Sequence, residues 1–206
     1  RGNISILRDT VIENLSAGSG DDRLSGNASA NAISGNGGDD RISGGAGRDT
    51  LRGGAGHDTL VGGTGNDIYY ADRQDVIIEQ PGAGRDRVMA LSSLTLAANV
   101  EDLTLARDAA RNATGNALAN GLGGNDMANV LHGLAGADRL VGGAGNDTLA
   151  GDRGDDLLSG GAGADVFIFT LGHDVIRDFQ NDIDTVRIDD ALWGGADRSV
   201  GWVLDH

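Results

Sequence analysis

Single apolar residues recur at every ninth position over two long stretches of the chain, each between small or polar neighbours, with glycines filling the spaces. Written in nines, residues 35–70 read GNGGDDRIS, GGAGRDTLR, GGAGHDTLV and GGTGNDIYY, and residues 133–168 read GLAGADRLV, GGAGNDTLA, GDRGDDLLS and GGAGADVFI. Position four is always Gly, position six always Asp, and position eight is apolar in all but one. The frame continues upstream as AGSGDDRLS and GNASANAIS (17–34) and as GNALANGLG and GNDMANVLH (115–132), so each block holds six nonamers. The likeness of GNASANAIS to GNALANGLG points to duplication of a block.

An apolar residue between two outward-pointing neighbours is a minimal half-buried strand. The GGxGxD run beside it is a turn, because glycine permits positive φ and close backbone approach. Loop and strand together take nine residues, so two nonamers return the chain to the same face. The pattern predicts an all-β parallel β-roll, two strands per coil, with the position-eight side chains stacked inside. The expected organisation is a lead-in strand region (1–16), a first roll (17–70), a β-rich connector (71–114), a second roll (115–168) and a C-terminal cap (169–206). In the connector, VIIE (76–79), VMALSSLTL (88–96) and VEDLTL (100–105) read as strands of irregular parallel coils. A solenoid end exposes apolar layers, so Phe179, Leu192 and Trp193 are candidates for covering it.

Composition narrows the chemistry. The 206 residues include 36 Gly but a single Pro, which argues against low-complexity disorder. A formal net charge of -15 makes nucleic acid or an anionic membrane surface an improbable partner and a cation a natural one. Cysteine is absent, which excludes disulfides and thiolate metal sites, and no apolar run reaches the roughly 18 residues of a membrane span. The chain opens at Arg1, without an initiator Met, and is expected to be a piece of something longer, in monomeric form.

Residues 18 apart lie on adjacent strands, about 4.8 Å apart. A calcium ion, with ligand oxygens at roughly 2.4 Å, fits between two such layers. The pairs with two carboxylates are Asp22/Asp40, Asp40/Asp58, Asp49/Asp67, Asp138/Asp156 and Asp147/Asp165. Three more, Asn31/Asp49, Asn120/Asp138 and Asn129/Asp147, replace one carboxylate by an amide and are expected to bind more weakly. About eight calcium ions between layers are expected, enough to offset the formal charge of -15. A site at 100-fold excess of calcium over its dissociation constant would contribute about 2.7 kcal/mol, so the roll is expected to need its metal. Asx turns could explain one or two such aspartates, but not a whole column in register. Asp72, Asp75, Asp86 and Asp126 fall outside the key positions or in poor nonamers and are expected at the surface.

The GGxGxDxUx nonamer, where U is the apolar position, resembles that of the repeats-in-toxin (RTX) family. The resemblance implies a right-handed parallel β-roll that leaves the cell through a type I secretion apparatus and folds on calcium outside it. It also implies that each ion takes positions two, four and six of one nonamer with positions one, three and six of the nonamer two further on. Carried over, this gives Gly18, Gly20 and Asp22 with Gly35, Gly37 and Asp40, and Gly45, Gly47 and Asp49 with Gly62, Thr64 and Asp67. In the second block Gly143, Gly145 and Asp147 join Gly160, Ala162 and Asp165. Gly53, Gly54, Gly56 and Asp58, then Gly133, Gly136 and Asp138, and Gly151, Gly154 and Asp156, hold equivalent places.

The stretch 2–31 resembles the start of the calcium-binding domain of serralysin-type metalloproteases, which implies Glu13 as an early ligand. DVIRDFQNDIDTVRID (174–189) resembles its end and implies Asp174 and Asp184 as ligands of a last ion. For these three carboxylates a solvated surface position is the alternative. Two departures stand out: serralysins usually have one roll where this sequence has two, and the family's C-terminal export signal is not evident in SVGWVLDH.

No catalytic motif accompanies the repeats. His57, His132, His173 and His206 form no His-Glu-x-x-His zinc motif, and neither a Gly-x-Ser-x-Gly elbow nor a phosphate loop is present. His57, at position five, should point outward, while Tyr69, Tyr70, Phe167 and Phe169 should close the core at the block ends. The expectation is a secreted, extracellular bacterial calcium-binding module, itself non-catalytic, following the catalytic domain of a serralysin-like protease. The alternatives are a polysaccharide-binding roll of a secreted epimerase-type enzyme and a stalk segment of an adhesin.

Overall fold

The computed structural model describes residues 2–5, 13–107 and 112–188, and every regular element among them is a β-strand. The chain divides into two compact units, 1–91 with 97–102 and 92–96 with 103–206. In the first, the strands Gly2–Ser5, Asp22–Ser25, Arg41–Ala46, Thr59–Thr64 and Val76–Ile78 pair in parallel in that order. The alternating strands Asn14–Ser16, Ala32–Gly37, Thr50–Ala55, Ile68–Ala71 and Arg87–Ala90 form the facing parallel ladder. In the second unit the ladders are Leu94–Thr95, Asn112–Thr114, Val130–His132, Thr148–Ala150, Val166–Phe169 and Thr185–Ile188, and Gly121–Gly123, Arg139–Ala144, Leu157–Ala162 and Val175–Ile176. This is the parallel β-roll that the nine-residue period predicts.

The register is set by the apolar position. Leu24 pairs with Ile42 and Ile42 with Leu60, and on the facing sheet Ile33, Leu51, Tyr69 and Val88 stack in turn. The second unit repeats this with Leu131, Leu149 and Phe167, and with Leu122, Leu140, Leu158 and Ile176. All of these side chains are buried. In most nonamers the core is thus two columns wide, one apolar residue per strand, because the neighbours of each apolar residue alternate outward, while some strands bury a second, as with Ala71, Ala90, Ala150 and Phe169.

Strand-like runs of the connector form parallel pairs, with Arg87–Ala90 on Ile68–Ala71 and Leu94–Thr95 on Asn112–Thr114. Phe167 is fully buried and meets the Phe179 ring at 6.2 Å, so Phe179 does cover that end of the column. Tyr69 and Phe169 are buried as expected, whereas Tyr70 lies on the outer face with the Arg52 guanidinium 4.0 Å above its ring. Leu192 and Trp193 lie outside the described residues, as does His206.

Layers stack too closely for side chains at certain loop positions. Gly63 has φ +104°, and a Cβ there would run into the Gly45 carbonyl of the layer before it. Gly20, in an end loop, has no atom within 4 Å of the equivalent point. Gly63→Ala should therefore cost more than about 1 kcal/mol. Gly20→Ala should stay within about 0.5 kcal/mol of the parent. Urea denaturation of both variants at saturating calcium checks the contrast.

Candidate metal centre

Each position-six residue sits immediately before a strand, where the turn hands over to the ladder, so parallel pairing of the strands stacks these side chains 18 residues apart. In all five two-carboxylate pairs the backbone N–H of the earlier Asp donates to Oδ1 of the later one at 2.8 Å. The three amide pairs are built alike, with N–H to Oδ1 distances of 2.7 Å to Asp49, Asp138 and Asp147. The structure thus brings every expected pair together.

One carboxylate oxygen of each rung is used in this way, and the other is stranded. Oδ2 of Asp40, Asp49, Asp58, Asp67, Asp138, Asp147, Asp156 and Asp165 is buried with no hydrogen-bond donor. Burying an acceptor unpaired is costly, and burying it ionised much more so. Each of these oxygens faces the position-one glycine of its own nonamer. At Gly35 a Cβ would collide with Asp40 Oδ2 and lie 2.7 Å from the Gly53 carbonyl oxygen of the next layer. Gly44, Gly133 and Gly142 are similar, with Asp49, Asp138 and Asp147 beside the carbonyls of Gly62, Gly151 and Gly160. Two acceptor oxygens from successive layers therefore converge there with no N–H or hydroxyl donor among the described residues.

That donor set fits calcium. It consists of hard oxygens, carries charge, and contains neither sulfur nor imidazole. The carbonyls of Gly45 and Gly47 face Gly63 and Gly65 in the next layer, and those of Gly143 and Gly145 face Gly161 and Gly163, as a ligand set shared between nonamers requires. Thr64 and Ala162 carbonyls accept N–H from Gly47 and Gly145 at 2.8 Å, and Gly18 accepts from Gly37 at 3.3 Å, which leaves each oxygen a second lone pair. Gly53, Gly54, Gly56, Gly136 and Gly154 occupy equivalent loop places in their own layers. The amide oxygens differ. Asn31, Asn120 and Asn129 Oδ1 already accept N–H from Asn27, Asn116 and Asn125 in their own loops, so these rungs have less to offer a cation.

The stacks run beyond the nonamers. Asp58 N–H donates to Asp75 Oδ1 at 3.2 Å and Asp67 N–H to Asp86 Oδ1 at 2.8 Å, 17 and 19 residues away. Asp86 N–H then donates to Glu101 at 2.8 Å. The expectation that Asp75 and Asp86 are surface residues is overturned. Asp86 is 1% exposed and its Oδ2 also lacks a donor, while Asp75 is half-buried. The place of Asp86 at position six of PGAGRDRVM (81–89) was its available signal; for Glu101 it was the likeness of VEDL (100–103) to IENL (12–15), which sets it against Glu13. Asp72 is half-buried and accepts Gln74 N–H, and Asp126 is exposed.

Asp174 and Asp184 end two different stacks, accepting N–H from Asp156 at 3.1 Å and from Asp165 at 2.9 Å. Glu13 is exposed, and its backbone carbonyl accepts Ala32 N–H. His57 points outward as expected, its N–H on Asp39 Oδ1 at 2.8 Å.

Burial dominates the acidity of the stack. It raises the carboxyls of Asp49, Asp138 and Asp147 to about 6 and that of Asp174 to about 7, against the pull of the N–H donors, with like-charged neighbours adding to the rise. Asp40, Asp58, Asp67, Asp156 and Asp165 are raised for the same first reason. In the unfolded chain aspartate titrates near 3.9. The metal-free fold therefore binds more protons than the unfolded chain, and its stability falls as pH rises. In chelator, β structure should be greatest below about pH 4 and decline as pH passes about 6 to 7. Far-ultraviolet circular dichroism against pH reads this directly; a signal that grows with pH would contradict it.

The RTX calcium-binding nonapeptide repeat, as a profile of four copies, matches residues 16–51, 34–69, 43–78, 123–158 and 142–176, together more than half of the chain. A comparison with curated proteins finds no match.

Proposed function

The chain belongs to the RTX calcium-binding nonapeptide repeat family, and from that membership we propose that it is a secreted module that calcium folds outside the cell. One observation carries the reading: the column of buried Oδ2 atoms that have no donor, those of Asp40, Asp49, Asp138 and Asp147 standing beside carbonyls of the next layer. Calcium supplies there the positive charge that no described residue provides. The aspartates hold it, the position-one glycines leave it room, and the backbone N–H groups fix each carboxylate by its other oxygen.

The same logic makes the fold conditional. Without the cation, like charges buried a strand's spacing apart oppose the roll, and a core only two columns wide has little in reserve. Where calcium is scarce the chain stays open, which suits passage through a type I secretion apparatus; at the millimolar calcium that weak extracellular sites require, it folds. The absence of cysteine agrees with folding that needs no redox chemistry. The lead-in 2–31 and the tail 174–189 support a place in the C-terminal, non-catalytic part of a serralysin-like extracellular metalloprotease. About eight ions, one per stacked pair, would load the two blocks.

Circular dichroism in chelator at neutral pH should show largely coil. Titration should give a cooperative gain of β signal near about 1 mM calcium, with magnesium, which demands tighter octahedral geometry, failing to substitute. Full β structure in chelator at neutral pH would sink the proposal. Asp49→Asn gives a sharper test, because its two effects have opposite sign. It should make the chelator state more structured, by removing a buried charge, and shift the calcium midpoint upward, by removing a charged ligand. A variant that moves both in the same direction would contradict the reading.

A further inference from the structure

Past the last nonamer of the first block the repeat breaks, and the register of oxygens changes with it. At Gly44 the space beside the glycine holds Asp49 Oδ2 and the carbonyl of Gly62, one layer on. At Gly62 the chain continues through Gln80 and Pro81 instead of another GG pair. The nearest atoms there are the Tyr69 hydroxyl, Asp67 Oδ2 and Glu79 Oε1. A side-chain carboxylate from beyond the repeat now stands beside the rung oxygen.

Asp86 completes the group. One carboxylate oxygen from each of Asp67, Glu79 and Asp86 lies within 4.8 Å of the others, and the three residues are only 1%, 6% and 1% exposed. Their remaining bonds are accounted for. Asp67 Oδ1 accepts Asp49 N–H, Asp86 Oδ1 accepts Asp67 N–H, and Glu79 accepts the Tyr69 hydroxyl and Gln80 N–H. Asp67 Oδ2 and Asp86 Oδ2 are left buried and unpartnered. The basic side chains nearest in sequence, Arg85 and Arg87, are both paired with Asp102, at 2.7 and 3.5 Å. Three carboxylates thus share a buried space, two of them with an oxygen that no donor reaches.

We propose that Asp67, Glu79 and Asp86 form a separate calcium site, made of side-chain carboxylates, that fastens the segment after the first block to the last nonamer of that block. Three charged ligands exceed the two of a repeat rung, so the site should hold its ion more tightly than the rungs do. The Tyr69 hydroxyl orients Glu79, and the Glu79 carbonyl is itself held by Asn99 Nδ2 at 2.9 Å. The inference rests on calcium being the ion of the roll, but it adds a site the nonamer does not encode.

Ions retained by the full chain after gel filtration in low calcium, counted by atomic emission, test the site against its repeat background. Glu79→Gln should retain one ion fewer than the parent, with that site weakened on the order of tenfold or more, while the rungs still titrate. Unchanged stoichiometry and affinity in Glu79→Gln would overturn the site while leaving the roll's calcium reading intact; that reading fails separately, if the parent retains and binds no calcium. Terbium replaces calcium in a second measurement that does not need the Glu79 variant to fold. Tyrosine-excited terbium emission should appear at the first equivalents in the parent and be lost from Tyr69→Phe, which keeps Tyr70. Early emission persisting at parental strength in Tyr69→Phe would place the tightest ion elsewhere and overturn the proposal. So would a Glu79→Gln chain that gains structure in chelator but binds calcium as the parent does, since the three carboxyls would then be sharing protons.

Discussion

Carboxylate oxygens stacked in a dry column without a donor are the constraint on which this roll depends. The N–H of the position-six residue one layer earlier satisfies one oxygen of each Asp, and in Asp40, Asp49, Asp138 and Asp147 the other oxygen stands beside a carbonyl of the next layer. Among the described residues no donor reaches that second oxygen, because position five and the strand neighbours point outward and the inner column is apolar. The alternatives are a proton, which burial favours by raising these groups to about 6 in Asp49, Asp138 and Asp147, or a cation. At neutral pH the proton is scarce, which leaves a cation as the partner for that oxygen.

Glycine serves this arrangement for two distinct reasons. At position two, Gly63 has φ +104° and backs directly onto a carbonyl, so backbone conformation and spacing both exclude a side chain. Position one is another matter: Gly35 carries no positive φ, yet Asp40 Oδ2 fills the place its Cβ would take. That glycine is required by the carboxylate and not by the turn. The repeat's first and sixth positions are therefore one physical unit, a ligand and the room for it. At Gly26 the same place is taken by the amide oxygen of Asn31, which already accepts N–H from Asn27 in its own loop.

The fold and the rungs were legible because both depend on a single period. Once strands recur every nine residues, parallel pairing follows, and Asp40 and Asp58 must stack. Legibility failed where the spacing slipped. Asp75 and Asp86 join their stacks 17 and 19 residues after Asp58 and Asp67, since loops of slightly different length can deliver a carboxylate to the same rung. A strict frame discards them as surface residues. Glu79 was invisible for a deeper reason: it lies outside the nonamer frame, and only the path of the chain brings its Oε1 beside Asp67 Oδ2 at Gly62.

The ends of the stacks show how the roll limits its own growth. Inside a block every rung has a neighbour on each side, so one ion can serve two layers. At a block's edge that sharing stops, and the last carboxylate must find other oxygens or remain unpaired. In the first unit the edge recruits Glu79 and Asp86, and Asp86 passes its own N–H to Glu101. In the second, Asp174 and Asp184 receive the last N–H donors of two separate stacks, and Phe179 covers the apolar column beside them. Terminal layers of any solenoid need an apolar lid. Here they also need an electrostatic one, because the property that makes the interior repeat work, a buried charge answered from the next layer, becomes a liability in the layer that has none.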